Sequence, residues 1–377
     1  MTESTEIRLA LAVTVTILAA TLLLQVGTRE ARWYDFGHFY ATGMMLRAGA
    51  TENLYDQNLQ TEYQERTLHR PGVLPFISPP FVALAFVPLT FLPFSQAYLI
   101  FGLMNIAVWV WFALSTRRFS GLPPFRHLAI CFAALPLWRA LNLGQLAFIM
   151  LVLLTLCYVS LREAREFRAG VLAGLLLFRF QLVLPLLVVW LLRKRWRSAA
   201  GMLLPAVGYF ALSFAMLGWT GIVNYIRMLW TINNRMVTDS SAWQMPTLRA
   251  FFSTVLSPSL ATVATIVCTS GLLILIIMRW RSIAVEQSFA ALLIVAVITA
   301  GYAHIYDLSL VLLALLLCPG AAASPFGIAV AIYMWLAFLI PGSVPAAGLL
   351  WPFLSLPLAA YVVALLFSNR ISRVALS

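Results

Sequence analysis

The sequence predicts an all-α polytopic membrane protein, and three observations predict it. Of its 377 residues, 62% are hydrophobic and only 10% charged, with a mean hydropathy of +0.92. A soluble domain carries about 25% charged residues, and a chain this poor in charge cannot cover a water-facing surface. The apolar residues come in long unbroken runs, whereas strands of a membrane barrel alternate apolar and polar positions. The net charge is +12, and arginine supplies 24 of the 25 basic residues, Lys194 being the other. In a soluble chain that excess would suggest nucleic acid. Between apolar runs it reads as the positive-inside bias of membrane loops, with arginines to face phosphate. A soluble enzyme, a secreted disulfide scaffold and a disordered chain are all excluded, and no nucleic-acid partner is expected.

The elements follow in order. The first apolar run, 9–27, is long enough to cross a bilayer. Its leader sets Glu3 and Glu6 against Arg8, unlike the positive leader of a cleaved signal peptide, so a retained first helix is expected. Next comes the one substantial polar segment, 28–77, with 11 of the 38 charged residues and two of the four histidines. From Pro71 to Thr116 no residue is charged, and Pro93-Phe94-Ser95-Gln96 divides that stretch into two runs. Later runs lie near 126–138, 146–161, 169–180, 181–192, 198–218, 252–278, 287–303, 308–318, 326–341 and 349–367, making 13 in all.

Five basic clusters separate these runs: Arg117/Arg118/Arg126, Arg162/Arg165/Arg168, Arg193/Lys194/Arg195/Arg197, Arg279/Arg281 and Arg370/Arg373. If all five share the cytoplasmic face with the N-terminus, the number of crossings is even, so about twelve are expected. Either one run is then a re-entrant or half-depth segment, with the Pro79-Pro80 run (78–93) the first candidate and the short 169–192 pair the second, or one cluster breaks the rule. The chain reads as one membrane domain over 1–377, with a first outer loop at 28–77 and a second outer segment at 219–250. Segment 138–145 and the surroundings of His304 fall on the same outer side. Cys131, Cys157, Cys268 and Cys318 lie inside apolar runs with no CxxC spacing, and read as buried thiols.

Polar groups at membrane depth are costly to bury, and that shortens the search for a site. Asp35 stands among aromatics in Arg32-Trp33-Tyr34-Asp35-Phe36-Gly37-His38-Phe39-Tyr40. Two readings of it are open. Apolar walls make it a general base beside rings that stack on a sugar, or it caps a helix or pairs with Arg32. In Trp138-Arg139-Ala140-Leu141-Asn142-Leu143-Gly144-Gln145 the amides can bond hydroxyls or phosphate, or merely form a polar hairpin tip. Arg179 interrupts an apolar region with no acidic residue nearby in sequence, so it needs an anion. A phosphate, a carboxylate from another helix, or the headgroups would serve. His304 and Asp307 are three residues apart and would share a helix face. They suit substrate binding, proton transfer or an interfacial cap, and no second histidine stands at metal spacing. No GxxxxGK[ST], GxSxG or HExxH occurs. The polar candidates gather at one face rather than in mid-span, which favours an enzyme acting on a lipid-borne substrate.

Taken together these residues resemble a known family. The opening Trp33-Tyr34-Asp35-Phe36 and the close Pro75-Phe76-Ile77-Ser78-Pro79-Pro80 are similar to the outer loop of the integral-membrane GT-C glycosyltransferases. The resemblance is nearest to glycosyltransferase family 87, the polyprenyl-phosphate-mannose-dependent α-mannosyltransferases. It extends to Asn142-Leu143-Gly144-Gln145, to Phe180-Gln181-Leu182 followed by Arg193-Lys194-Arg195-Trp196-Arg197, to Met245-Pro246-Thr247-Leu248-Arg249 and to His304–Asp307. It covers roughly Trp33 to Leu317. One departure is that the family often has lysine where this chain has Arg179, exchanging a point charge for a planar fork.

The resemblance implies a GT-C-type bundle and a sugar moved from a polyprenyl phosphate to an acceptor hydroxyl, with inversion at the anomeric carbon. Asp35 would be the base. Arg179 would hold the donor's negative charge, with Arg139 and Arg249 in reserve. His304 and Asp307 would serve the donor phosphate or sugar, and Asn142 and Gln145 would bond its oxygens. Trp33, Tyr34 and His38 would shape the acceptor side. Neither metal nor other cofactor is expected, because a monophosphate can rest on arginines. The expected partners are the lipid-linked donor, membrane lipids and a glycolipid, glycan or protein acceptor. The expected location is a bacterial inner membrane with the site at the periplasmic face. A lipid-sugar flippase or transporter of similar build is the competing reading, and a non-catalytic membrane scaffold a third.

Overall fold

The computed structural model describes residues 3–28, 35–68, 74–236, 245–339 and 347–368, and every regular element among them is helical. In chain order these are α1 (Glu3–Thr28), α2 (Phe36–Arg47), α3 (Gln57–Leu68), α4 (Pro80–Phe86), α5 (Phe94–Ser120), α6 (Pro124–Phe132), α7 (Leu135–Leu143), α8 (Ala147–Arg162) and α9 (Glu166–Gly174). There follow α10 (Phe180–Leu192), α11 (Trp196–Met236), α12 (Leu248–Val255), α13 (Pro258–Arg279), α14 (Val285–Thr299), α15 (Ser309–Leu317), α16 (Pro319–Ala322), α17 (Pro325–Leu339) and α18 (Ala347–Phe367). Single 3₁₀ turns lie at Val87–Phe91, Leu177–Arg179 and Ile305–Leu308.

Crossing a hydrocarbon core about 30 Å thick takes roughly 20 helical residues. Among the described residues five helices meet that length and apolarity: Ile7–Val26, Phe94–Ser120, Trp196–Ile232, Pro258–Arg279 and Leu350–Phe367. A sixth appears if Glu166–Gly174 and Leu177–Leu192, bent by 56°, count as one broken span. The expected count of about twelve therefore exceeds the long apolar helices. Several of the apolar runs fold as shorter helices: Pro80–Phe91, Ala147–Arg162, Val285–Thr299 and Ile305–Leu317. The 169–192 pair is the bent element, as its length suggested. α14 shows why apolarity alone overcounts. Twelve of its residues, from Gln287 to Ile298, are buried, so it is apolar all round because protein surrounds it.

The described residues divide into two compact units. The first draws on Met1–Trp111, Leu137–Ile149 and Pro205–Ile232. Its polar segment, expected as a loop, is largely the helices α2 and α3. Two buried glutamines on α3 stand in for a neighbouring strand. Gln60 donates to Leu54 O at 2.8 Å and accepts from Phe76 N at 2.9 Å, and Gln64 does the same for Leu74 at 2.8 and 3.2 Å. These bonds satisfy backbone groups that have no helix to pair them. α2 is anchored by the Arg47 guanidinium on Thr90 O and by Tyr40 Oη on Leu92 O at 2.7 Å. The Phe36 ring is fully buried and lies within 6.1 Å, centroid to centroid, of Tyr40, Phe86, Phe94, Tyr98 and Phe101. α11 breaks at Gly218, where φ is 62° and ψ −174°, a conformation glycine adopts without cost.

The second unit draws on Phe112–Pro136, Met150–Leu204 and Asn233–Ser377. Here α9 and α11 cross almost backbone to backbone: a Cβ on Gly170 would stand 2.0 Å from Ser198 O, and one on Gly201 2.1 Å from Phe167 O. Small residues permit such close helix crossings in membranes. Glu286 gathers partners from α8, accepting from Tyr158 Oη at 2.9 Å and pairing with Arg162 at 3.4 Å. None of the four cysteines is in a disulfide. Cys131, Cys157 and Cys318 are buried as expected, but Cys268 on α13 is partly exposed, because much of that helix faces outward.

Candidate active site

Asp35, His38, Arg139, Asn142 and Gln145 belong to the first unit, and Arg179, Arg249, His304 and Asp307 to the second. Trp33 and Tyr34 lie outside the described residues, as does Arg32, the alternative ion-pair partner of Asp35.

Asp35 stands at the N-cap position of α2, yet its side chain makes no capping hydrogen bond. It instead accepts from Gln145 Nε2 at 2.5 Å. Gln145 reaches it because of how α7 ends. Gly144 sits at φ +68°, its N–H donates to Leu141 O at 3.1 Å, and the next N–H, of Gln145, donates back to Ala140 O at 2.9 Å. That paired closure is the left-handed glycine cap of a helix C-terminus. The cap lies against Phe36, and a Cβ on Gly144 would stand 2.6 Å from the Phe36 Cβ. Tyr98 Oη, on α5, is 2.7 Å from Asn142 O and 2.7 Å from Gln25 Oε1 on α1. So α1 and α5 brace the end of α7, and α7 in turn holds the carboxylate that opens α2. His38 is one helical turn along α2 from Asp35, its N–H bonded to Asp35 O at 3.2 Å, and the two share a face. Its ring lies 4.1 Å from the Phe39 ring and 6.1 Å from Phe76. The Asn142 carboxamide buries its Oδ1 without a hydrogen bond among the described residues. Arg139 is exposed on α7.

In the second unit Tyr306 links Arg179 and His304, and Asp307 follows it in the chain. Arg179 ends a 3₁₀ turn at the break between α9 and α10, half-buried. Its guanidinium is stacked over Tyr306, 5.5 Å from the ring centroid, and donates to Tyr306 Oη at 3.4 Å. Asp307 is fully buried. Its Oδ2 accepts from His304 N at 2.8 Å, while Oδ1 accepts no hydrogen bond among the described residues. Asp307 follows Tyr306 in the chain, so a buried carboxyl lies next in sequence to the ring on which Arg179 stacks. The expected helix face for His304 and Asp307 is really the start of a 3₁₀ turn, Ile305–Leu308, which closes the gap to α15. Arg249 follows Thr247, whose hydroxyl caps α12 by accepting from Ala250 N at 3.2 Å. Burial pulls the Arg249 guanidinium below the usual arginine range.

Two aromatic residues here escaped sequence reasoning. Tyr302 Oη lies 2.6 Å from His304 Nε2, the rings perpendicular at 4.6 Å, and Gln181 Nε2 donates to Tyr302 O at 3.3 Å. Tyr306 flanks both His304 and Arg179. The alternation Tyr302-Ala303-His304-Ile305-Tyr306 was the available signal. A crevice of about 500 Å³, lined by Gly49, Ala50, Thr51, Glu52, Asn53, Ala215 and Met216, lies beyond the far end of α2. Twelve residues of helix at 1.5 Å each put it roughly 18 Å from Asp35, so it is no part of this group.

Each unit of this multi-pass helical chain thus ties down costly polar groups, the first a carboxylate held by Gln145 and the second an arginine stacked on a tyrosine that also flanks a histidine. The sequence model for glycosyltransferase family 87 matches residues 76–303, and the chain belongs to that family. It is a membrane glycosyltransferase. The match takes in Asn142, Gln145, Arg179 and Arg249, while Asp35 precedes it and His304 and Asp307 follow. No curated protein and no solved structure matches the chain.

Proposed function

We propose that the protein transfers a hexose, mannose by the family's pattern, from a polyprenyl phosphate to an acceptor hydroxyl, inverting the anomeric carbon, at the outer face of a bacterial inner membrane. The observation that carries this reading is Asp35, a carboxylate left uncommitted to its own helix cap and held from α7 instead. A capping aspartate would have spent its oxygens on the backbone. In the proposed step Asp35 takes the acceptor's hydroxyl proton as that oxygen attacks C1. The bond from C1 to the phosphate oxygen breaks, and its electron pair leaves with the polyprenyl phosphate. A β-linked donor thus gives an α-linked product. The leaving group is already a stable anion, so the protein's share is chiefly positioning and charge.

Arg179 holds the departing phosphate, with Arg249 and Arg139 in reserve, and its planar fork suits phosphate oxygens. His304 contacts the donor, its ring fixed by Tyr302, and Asp307 sets the backbone from which that ring projects. Asn142 serves donor oxygens, and His38, with Trp33 and Tyr34, the acceptor side. The acceptor is a glycolipid, glycan or protein hydroxyl, and no metal takes part in the step.

The test incubates membranes holding the protein with radiolabelled polyprenyl-phosphate mannose. Free polyprenyl phosphate with label in a new product supports transfer. Label that only changes leaflet supports a flippase instead. Asp35→Asn keeps donor binding and loses transfer, and retention of most of the activity would remove Asp35 as the base.

A further inference from the structure

We infer that Gln145 is the positioning residue for Asp35, fixing the plane of its carboxylate, in place of the donor contact expected for it from sequence. The inference rests on Asp35 being the base. Four observations support it. The Gln145 amide donates to Asp35 Oδ2 at 2.5 Å. Gln145 is only 2% exposed, so little of it is left to meet a ligand. Its backbone is held by the closing bond to Ala140 O behind a left-handed glycine. That glycine abuts Phe36, the residue next to Asp35 in the chain, with no room for a Cβ. The turn and the carboxylate are thus registered to each other twice, once by the packing of Gly144 on the Phe36 side chain and once by a hydrogen bond.

The chemistry follows from that register. A base must present a lone pair along the line of the hydroxyl proton, and a carboxylate free to spin spreads that direction over many orientations. A fixed donor on Oδ2 narrows that freedom. Misplacement by about 1 Å costs on the order of 100-fold in rate. The amide is also neutral, so it orients the carboxylate without cancelling its charge, as an arginine would. The other titratable group on that face of α2 is His38, and α7 contributes the exposed Arg139.

Two variants test the assignment, each assayed in native membranes with labelled polyprenyl-phosphate mannose. Gln145→Leu is expected to bind donor within about twofold of the natural protein, by retention of label on the purified protein, while transfer at saturating donor falls about 10- to 100-fold. Gln145→Glu supplies a signature that a merely structural role would not give. Its carboxyl can donate to Asp35 only while protonated, so transfer is expected to fall as pH rises, opposite to a base that works better ionised. This second variant keeps the inference open to test should Gln145→Leu fail to fold. Donor binding lost in step with rate in Gln145→Leu would return Gln145 to the donor and overturn the inference. So would a Gln145→Glu profile that rises with pH like the natural one. Asp35→Asn run alongside separates the two readings. If it is dead while both Gln145 variants behave normally, only the positioning role fails; if it is active, the base itself is wrong.

Discussion

Gln145 and Asp35 are 110 residues apart in sequence and 2.5 Å apart in the fold, amide nitrogen to carboxylate oxygen. What closes that gap is one glycine. Gly144 takes φ +68° so that α7 can end and turn its next side chain onto α2.

Gly144→Ala is expected to cost both stability and activity. A left-handed L-residue costs roughly 1–2 kcal/mol, and the new Cβ would meet Phe36 at 2.6 Å. A lower melting temperature in detergent, with transfer reduced more than the folded fraction explains, is the expected result. Natural activity in Gly144→Ala would mean that the turn does not set the carboxylate.

Arg179 stacks on Tyr306, the neighbour of Asp307 in the chain. Arg179→Leu removes a cation from the neighbourhood of a fully buried aspartate and is expected to lower the melting temperature, because a buried acid that loses a compensating charge is destabilised. The double variant Arg179→Leu/Asp307→Leu removes both charges and should recover most of that stability. It should not recover retention of labelled donor lipid. A double variant that binds donor normally would make Arg179 structural only.

The α9–α11 crossing should tolerate no methyl group. Gly170→Ala and Gly201→Ala each drive a Cβ to about 2 Å from a carbonyl oxygen of the other helix. Folded yield on size-exclusion chromatography is expected to collapse. Gly208→Ala on the same α11 meets nothing within 4 Å and should gain up to about 1 kcal/mol of helix propensity. Equal behaviour of the three would show that the crossing is looser than described.

Ala164 and Lys194 both end helices at φ +56°, where the same cap is most often glycine. Ala164→Gly and Lys194→Gly should each raise stability by about 1 kcal/mol, since the left-handed penalty falls on the Cβ. A thermal melt of each variant reads this directly, and a lower midpoint for both would contradict it.

The charged members of the candidate site were legible in the sequence, for a physical reason. Asp35, Arg179, His304 and Asp307 stood out because charge and imidazole are rare and costly among apolar runs, so each drew attention singly. Their partners did not stand out. Gln145 read as a donor ligand because an amide at a hairpin tip bonds whatever lies near it, and only the fold shows that Asp35 is near. Tyr302 and Tyr306 were passed over because tyrosines at a membrane boundary are common anchors. Asp307 read as a second donor contact. The fold adds that Asp307 is fully buried and that its Oδ2 accepts from His304 N at 2.8 Å.

What the sequence by itself determined was the solvent. A chain with one charged residue in ten must live in lipid, its helices must be apolar, and its few ionisable groups must be used. Composition suffices for this because transfer from water is a sum over residues, indifferent to their partners. What only the tertiary structure decided was how far each apolar run goes and what each polar atom faces. α14 is as apolar as any span yet is wrapped in protein, and Asp35 looks like a helix cap yet bonds α7. Hydrogen bonds and close crossings are set by direction and by tenths of an ångström, and those quantities exist only once distant segments have met.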